Sequence, residues 1–359
     1  MVTFTFPATK GIQAERPFYT ATVPFKFLVR LFRFDEECVP AELRAQRALN
    51  ETRAKAIADY ILSNPDSYVL PAITASCDSS MFFESLSDQH NVGLLQIPLD
   101  ATLLINDGQH RRKGIALALQ ENPELADHSI SVTLFFDAGL HASQQMFADI
   151  NANACKPSGS INALYDLRNP FSRWVMEILD RRPAIKSRID MEAASPSKKS
   201  SKLWSLVAFH MFVNLLTGAT AKNIKSLRDP DALADQVVAF IDKLSVIPMW
   251  DAMLKGNISA EDTREQYVIS HAVFLHALGL LGSYACDLSV LDGLASVDPS
   301  KSSPLWNNRC VVQGKMRKTT DGVKSTTAQL LRLCGIQLPE DLAKLDLLCG
   351  GEHGSDSWN

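Results

Sequence analysis

Residues 101–115 read ATLLINDGQHRRKGI. The apolar run stops at Ile105, and Asn106-Asp107-Gly108-Gln109-His110-Arg111-Arg112 follow at once. A carboxylate, two amides, an imidazole and two guanidiniums are thereby set side by side. Arg111 and Arg112 offer forked donors that suit phosphate oxygens. Gly108 permits a positive φ or a close approach of backbone to a ligand. Asp107 can hold an arginine or a metal, or act as a base. His110 can shuttle a proton near neutral pH. If the protein turns anything over, Asp107, Gln109, His110 and Arg111 are the candidate catalytic set. The chemistry these residues share is recognition of phosphate, with or without phosphoryl transfer. A plainer reading stands beside it: Asp107 caps a helix and the arginines are solvated.

Positioning such a cluster takes a strand before it and a helix after it. TLLI (102–105) reads as a strand, the Asp107-Gly108 pair as a turn, and HRRKGIALALQENPEL as a helix starting near His110. The cluster then lies at a strand's C-terminal end, where open sheets place ligands. The helix N-terminus there favours an anion. Further strands are expected at 3–8, 19–25, 67–76, 94–99 and 131–137. Helices are expected in the second half of 42–66, with Ala54, Ile57, Ala58 and Ile61 on one face, and at 143–153. From about 171 the strand signals thin out. Segments 171–181, 202–216, 231–244, 264–282 and 327–336 all have helical periodicity. The fold class expected is α+β: a mixed sheet with helices over residues 1–168, a mainly helical domain with basic loops over 169–345, and a disordered tail over 346–359.

At 359 residues the chain is long enough for about two domains. Hydrophobic residues make up 46% and charged residues 21%, so a normal core can be buried. The net charge of −4 excludes a uniformly basic nucleic-acid coat, and anion binding must come from local patches. The seven cysteines are scattered, odd in number and without a CxxC pair. Neither a disulfide framework nor a zinc site is indicated, and a reduced cytoplasmic protein is expected. The N-terminus lacks a signal-peptide pattern, and no apolar stretch is long enough to span a bilayer. His271 and His276 are five apart on one helix, whereas helical metal ligands favour a spacing of four, so packing is the better reading.

DGQHRRKGI resembles the signature of the DGQHR-domain family, whose fold is similar to ParB/sulfiredoxin-like domains. RALNETRAKAIADYILSNPDSYVLPAI (47–73) and QQMFADINANACKPSGSI (144–161) resemble two further segments of that superfamily. WNNRCVVQGKMRKTTDGVKSTTAQLL (306–331), with the N-terminal FPATKGIQAERPFY, is similar to one branch, the DndB family. That family is encoded beside genes that replace a non-bridging phosphate oxygen of DNA with sulfur. The resemblance covers residues 1 to about 335. It implies a DNA-binding repressor of the modification operon. The wider superfamily also holds nucleotide-hydrolysing members and nucleases.

Other candidates are weighed against that background. Gly108, Arg112, Arg47, Arg53, Asn151 and Lys156 form the candidate phosphate- or nucleotide-binding set. Arg47 and Arg53 either line the same cleft or are surface charges of an amphipathic helix. Asn151 either caps a helix end or meets the DGQHR turn, and the resemblance favours the turn. Lys156 either meets phosphate or is solvated. Cys155 is read as a small buried thiol rather than a sulfur-handling one. Two basic stretches offer a DNA face. The first carries Arg181, Arg182, Lys186, Arg188, Lys198, Lys199 and Lys202, and its SPSKKSSK portion reads as a mobile loop. The second, 309–324, carries Arg309, Lys315, Arg317, Lys318 and Lys324 against Asp321. Segment 326–345 reads as two short helices joined at Gly335.

The expected function is repression of a DNA phosphorothioate modification operon by binding duplex DNA. The expected partners are promoter DNA, other phosphorothioation proteins and a second copy in a homodimer, with no membrane. No cofactor or metal is required by these motifs. The catalytic alternative, an NTPase or DNA-nicking enzyme, would take a nucleotide or a divalent metal at the DGQHR cluster.

Overall fold

The structure is a computed structural model and describes residues 2–33, 50–86, 90–140, 142–152, 158–166 and 168–349. The chain divides into two compact units, residues 1–155 and 156–359.

The first unit is built on one mixed sheet. Its strands are β1 (Thr3–Gln13), β2 (Arg16–Pro24), β3 (Phe32–Arg33), β4 (Ile73–Cys77), β5 (Phe82–Ser85), β6 (Val92–Pro98), β7 (Leu103–Asp107) and β8 (Ser129–Phe136). They lie in the order β3-β7-β4-β8-β2-β1-β6-β5. The β3–β7 and β4–β8 pairs are parallel, and the other pairs are antiparallel. Alternation sets the register: in β8, Ile130, Val132 and Leu134 turn inward between more exposed neighbours. In β7 the run Leu103, Leu104, Ile105 and Asn106 is buried without alternation, as in a strand covered on both faces. The helices of this unit are α1 (Phe25–Leu31), α2 (Glu51–Ser63), α3 (Gln109–Glu121) and α4 (Ser143–Ala152). The core joins Phe25, Leu28 and Phe32 to Ile61, Ile105, Ile115 and Val132.

Several boundaries differ from those expected. The strand expected from 67 begins only at Ile73, because Pro71 has no N–H to give a ladder. Pro24 ends β2, and Phe25 opens a helix rather than closing a strand. Strands β3 and β5 are too short to leave a periodic signal. In α3, Gly114 lies where α2 crosses; a Cβ there would sit 2.9 Å from the Ala54 carbonyl oxygen.

The second unit is helical. Its helices are α5 (Gly159–Tyr165), α6 (Pro170–Asp180), α7 (Pro183–Lys186), α8 (Leu206–Thr217), α9 (Pro230–Lys243), α10 (Trp250–Lys255), α11 (Ala260–Gln266), α12 (Ala272–Tyr284), α13 (Thr320–Leu333) and α14 (Glu340–Leu348). Two small sheets join them: parallel β9 (Ile189–Asp190) with β10 (Trp204–Ser205), and antiparallel β11 (Val311–Val312) with β12 (Lys315–Met316). The core holds Trp204, Trp250, Trp306, Phe209, Phe212 and Phe274.

The single helix expected over 264–282 is two. Tyr267 takes an extended backbone and bridges Ser300, so α11 stops and α12 restarts after His271. Helix α13 begins earlier than expected, because Thr319 caps it by accepting from Gly322 N. Its partner α14 runs through Asp346, which is fully buried, to Leu348. Asp346 therefore belongs to the fold and not to the tail in which it was expected; residues 350–359 lie outside the described residues.

Candidate functional site: the DGQHR turn and the basic surfaces

Strand β7 ends on Asp107, and the chain turns on Gly108. Gly108 holds φ at +112° and is the N-cap residue of α3. The turn forms because no other residue type adopts that φ at low cost. Asp107 does not cap the helix. It accepts from the Arg111 guanidinium at 2.5 Å, one helical turn on. Arg112 reaches the other way and donates from Nη2 to the Val29 carbonyl of α1 at 2.7 Å. His110 Nε2 accepts from the Asn50 backbone N–H at 3.1 Å, and Asn50 is the residue that caps α2. Gln109 is buried. Four elements thus meet at this turn: β7, α3, α1 and the start of α2.

Beneath it lies a polar pair that the sequence reading did not single out. Asn106 is 1% exposed and donates from Nδ2 to Ser76 Oγ at 2.7 Å. Met146 Sδ of α4 lies 3.8 Å from the same nitrogen. Asn106 Oδ1 and Arg111 Nε are buried with no hydrogen-bond partner among the described residues. The only sequence cue was an amide ending an apolar strand.

Arg53 is exposed on α2, and its backbone N–H donates to the Asn50 side chain. Asn151 lies on α4. Arg47, Lys156 and Cys155 lie outside the described residues. Among the described residues, no group of three or more His, Cys, Asp or Glu side chains comes together as a metal would need.

In the helical unit the basic residues of the two candidate DNA-facing stretches divide into two kinds. Some are held internally. Arg181 pairs with Asp235 at 2.8 Å, and Arg182 with Asp242, whose carboxylate holds that guanidinium above its ordinary pKa. Lys186 pairs with Asp180. Arg188 donates to the Leu254 carbonyl at 2.9 Å, and Lys202 to the Ser187 carbonyl at 2.8 Å. The second kind is Lys198, Lys199, Lys315, Arg317 and Lys318. All five are exposed, and none forms an ion pair among the described residues.

Both segments carrying these five are structured. Arg264 of α11 donates to three backbone carbonyls of the SPSKKSSK loop: Lys202 at 2.5 Å, Lys198 at 2.7 Å and Ser200 at 2.5 Å. Its burial pulls the guanidinium below its ordinary pKa. The loop expected to be mobile is held at three points by one side chain that nothing in the local sequence announces. Lys315, Arg317 and Lys318 project from the β11–β12 hairpin and its exit. The hairpin turns on Gln313 and Gly314, both at positive φ, as a two-residue hairpin requires.

A family model described as DndB, DNA-sulfur modification-associated, matches residues 6–337. The chain belongs to the DndB family. The match spans both units and includes the DGQHR turn, the pinned loop and the hairpin. Membership in the DndB family links the protein to DNA sulfur modification. No curated protein and no solved structure matches the chain significantly. Among the described residues, no helix is long and apolar enough to cross a membrane.

Proposed function

We propose that this DndB-family protein is a DNA-binding repressor of a phosphorothioate modification operon, acting in the reduced cytoplasm. The observation that carries the reading is the set of exposed, unpaired cations, Lys198, Lys199, Lys315, Arg317 and Lys318, on two held segments of an otherwise acidic chain. Cations held out on ordered backbone neutralise phosphates without a large ordering cost, and they set register on the duplex. Promoter DNA is the partner. A homodimer on a palindromic site would double the contacts.

In the same reading, the DGQHR turn serves the fold. Asp107, His110, Arg111 and Arg112 are engaged with α1, the α2 cap and one another. A residue already holding a neighbouring element is poorly placed to accept a proton from substrate.

The test is titration of DNA from upstream of the operon at two salt concentrations, with nucleotide hydrolysis and DNA nicking measured on the same samples. Binding that weakens with salt, without turnover, supports the reading. Turnover lost in a folded Asp107→Asn variant would move the protein to the enzyme class.

A further inference from the structure

The helical unit contains a cavity of about 380 Å³, of whose lining only Lys318 belongs to the proposed DNA face. Its apolar wall is Val207, Met211 and Leu215 of α8, Leu280 of α12 and Val323 of α13. The first three recur every fourth residue, so they form one stripe along α8. Val207 and Met211 remain 37% and 46% exposed, although their neighbours Phe209 and Phe212 are in the core. A volume in this range suits a small organic ligand.

The polar part of the lining has one sign. Lys318, Lys324, Thr319 and Thr320 stand at the start of α13, where a helix of fourteen residues presents its positive end. Lys318 forms no ion pair among the described residues, while Lys324 is 3.3 Å from Asp341. No Asp or Glu occurs among the described residues lining the cavity. His276 of α12 also lines it and is only 3% exposed. Its Nε2 lies 3.1 Å from the Ala208 carbonyl oxygen, which can only accept, so the ring proton is on Nε2. Nδ1 is then an acceptor, and it makes no hydrogen bond among the described residues.

We propose that this cavity binds a small organic anion with an apolar, ring-sized body, its charge at Lys318 and the α13 N-terminus and a donor group toward His276. Burial supports the assignment of His276 as a neutral acceptor, since it pushes the imidazole down to about 4. Lys318 is shared with the proposed DNA face. Competition between the anion and DNA would rest on the DNA reading; the binding itself does not.

The experiment uses the whole chain without DNA. The probes are 8-anilinonaphthalene-1-sulfonate and its uncharged counterpart N-phenyl-1-naphthylamine, followed by fluorescence. The expected result is saturable binding of both, with the sulfonate the tighter. Lys318→Gln should weaken the sulfonate about tenfold and leave the neutral probe unchanged. Met211→Trp, which fills the mouth, should abolish both. Should Met211→Trp lower the melting temperature, Val207→Trp on the exposed rim replaces it. Binding indifferent to both filling variants would overturn the site. Filling variants that abolish binding, with a Lys318→Gln protein that treats both probes as before, would overturn the anionic class.

Discussion

Gly108 carries more of the turn than any charged neighbour. Any L side chain at φ +112° is strained, and its Cβ would also come within 2.7 Å of Ile73 Cγ1. Gly108→Ala should destabilise the first unit by roughly 2 kcal/mol or more, read as a lower urea midpoint. Asp107→Asn should cost about 1 kcal/mol, because the Arg111 pair is only partly buried. Neither change should alter DNA affinity per folded molecule. A variant that kept full stability and lost DNA binding would return the turn to the phosphate-binding role. At Asp346 the stakes are higher. Its fully buried carboxylate takes Arg309 and Arg332, both at 2.7 Å. Asp346→Ala leaves the buried Arg309 guanidinium without its carboxylate, while the part-exposed Arg332 can turn to water, and a loss of about 3 kcal/mol is expected in the same denaturation assay. The residue types of the turn were plain in the sequence, but their partners were not. Val29 and Asn50 meet Arg112 and His110 through backbone atoms, which carry no sequence signature.

At the scale of elements, α11 matters through one residue. Arg264→Ala removes the donor for three carbonyls of the 195–202 loop. Amide exchange in that loop should speed up, and DNA affinity should fall several-fold as ordering is deferred to binding. Unchanged exchange would show that the loop is held by other means. Amphipathic helices such as α6 and α9 were legible because their buried faces recur with helical spacing. What escaped was decided by tertiary contact: the break at Tyr267, the four-residue β5 and the two-residue β3. The hairpin turn at Gln313-Gly314 was present as a dipeptide but hidden between strands of two residues each.

At the scale of the whole molecule, charge and proton uptake give the readouts. Burial pushes His210, His271 and His276 down to about 4. In the unfolded chain they titrate near 6.5. Below that pH the unfolded chain binds protons that the folded unit refuses. The stability these groups permit is therefore intact above about 6.5 and is lost progressively as pH falls toward 4. Each contributes a slope of up to about 1.4 kcal/mol per pH unit in that window. Thermal melts from pH 7 to 4.5 should show the decline, and His210→Gln with His276→Gln should flatten it. For DNA, each cation removed from the set of five should reduce the salt slope of log affinity by about 1. A slope unmoved by Lys315→Gln with Arg317→Gln would exclude the hairpin from the interface.

The strand order has one more consequence. The hairpin made first, β1 with β2, occupies the interior of the sheet, between β6 and β8. During synthesis its β1 edge stays open until β6, ending at Pro98, has left the ribosome, and its β2 edge until β8, ending at Phe136, has followed. Pairings so distant in sequence form slowly. For about a hundred residues of elongation, the nascent sheet presents an open β2 edge to its surroundings. Fusions or stalls that stop short of Phe136 should therefore be handled by chaperones or aggregate, while those placed after it should release a finished sheet.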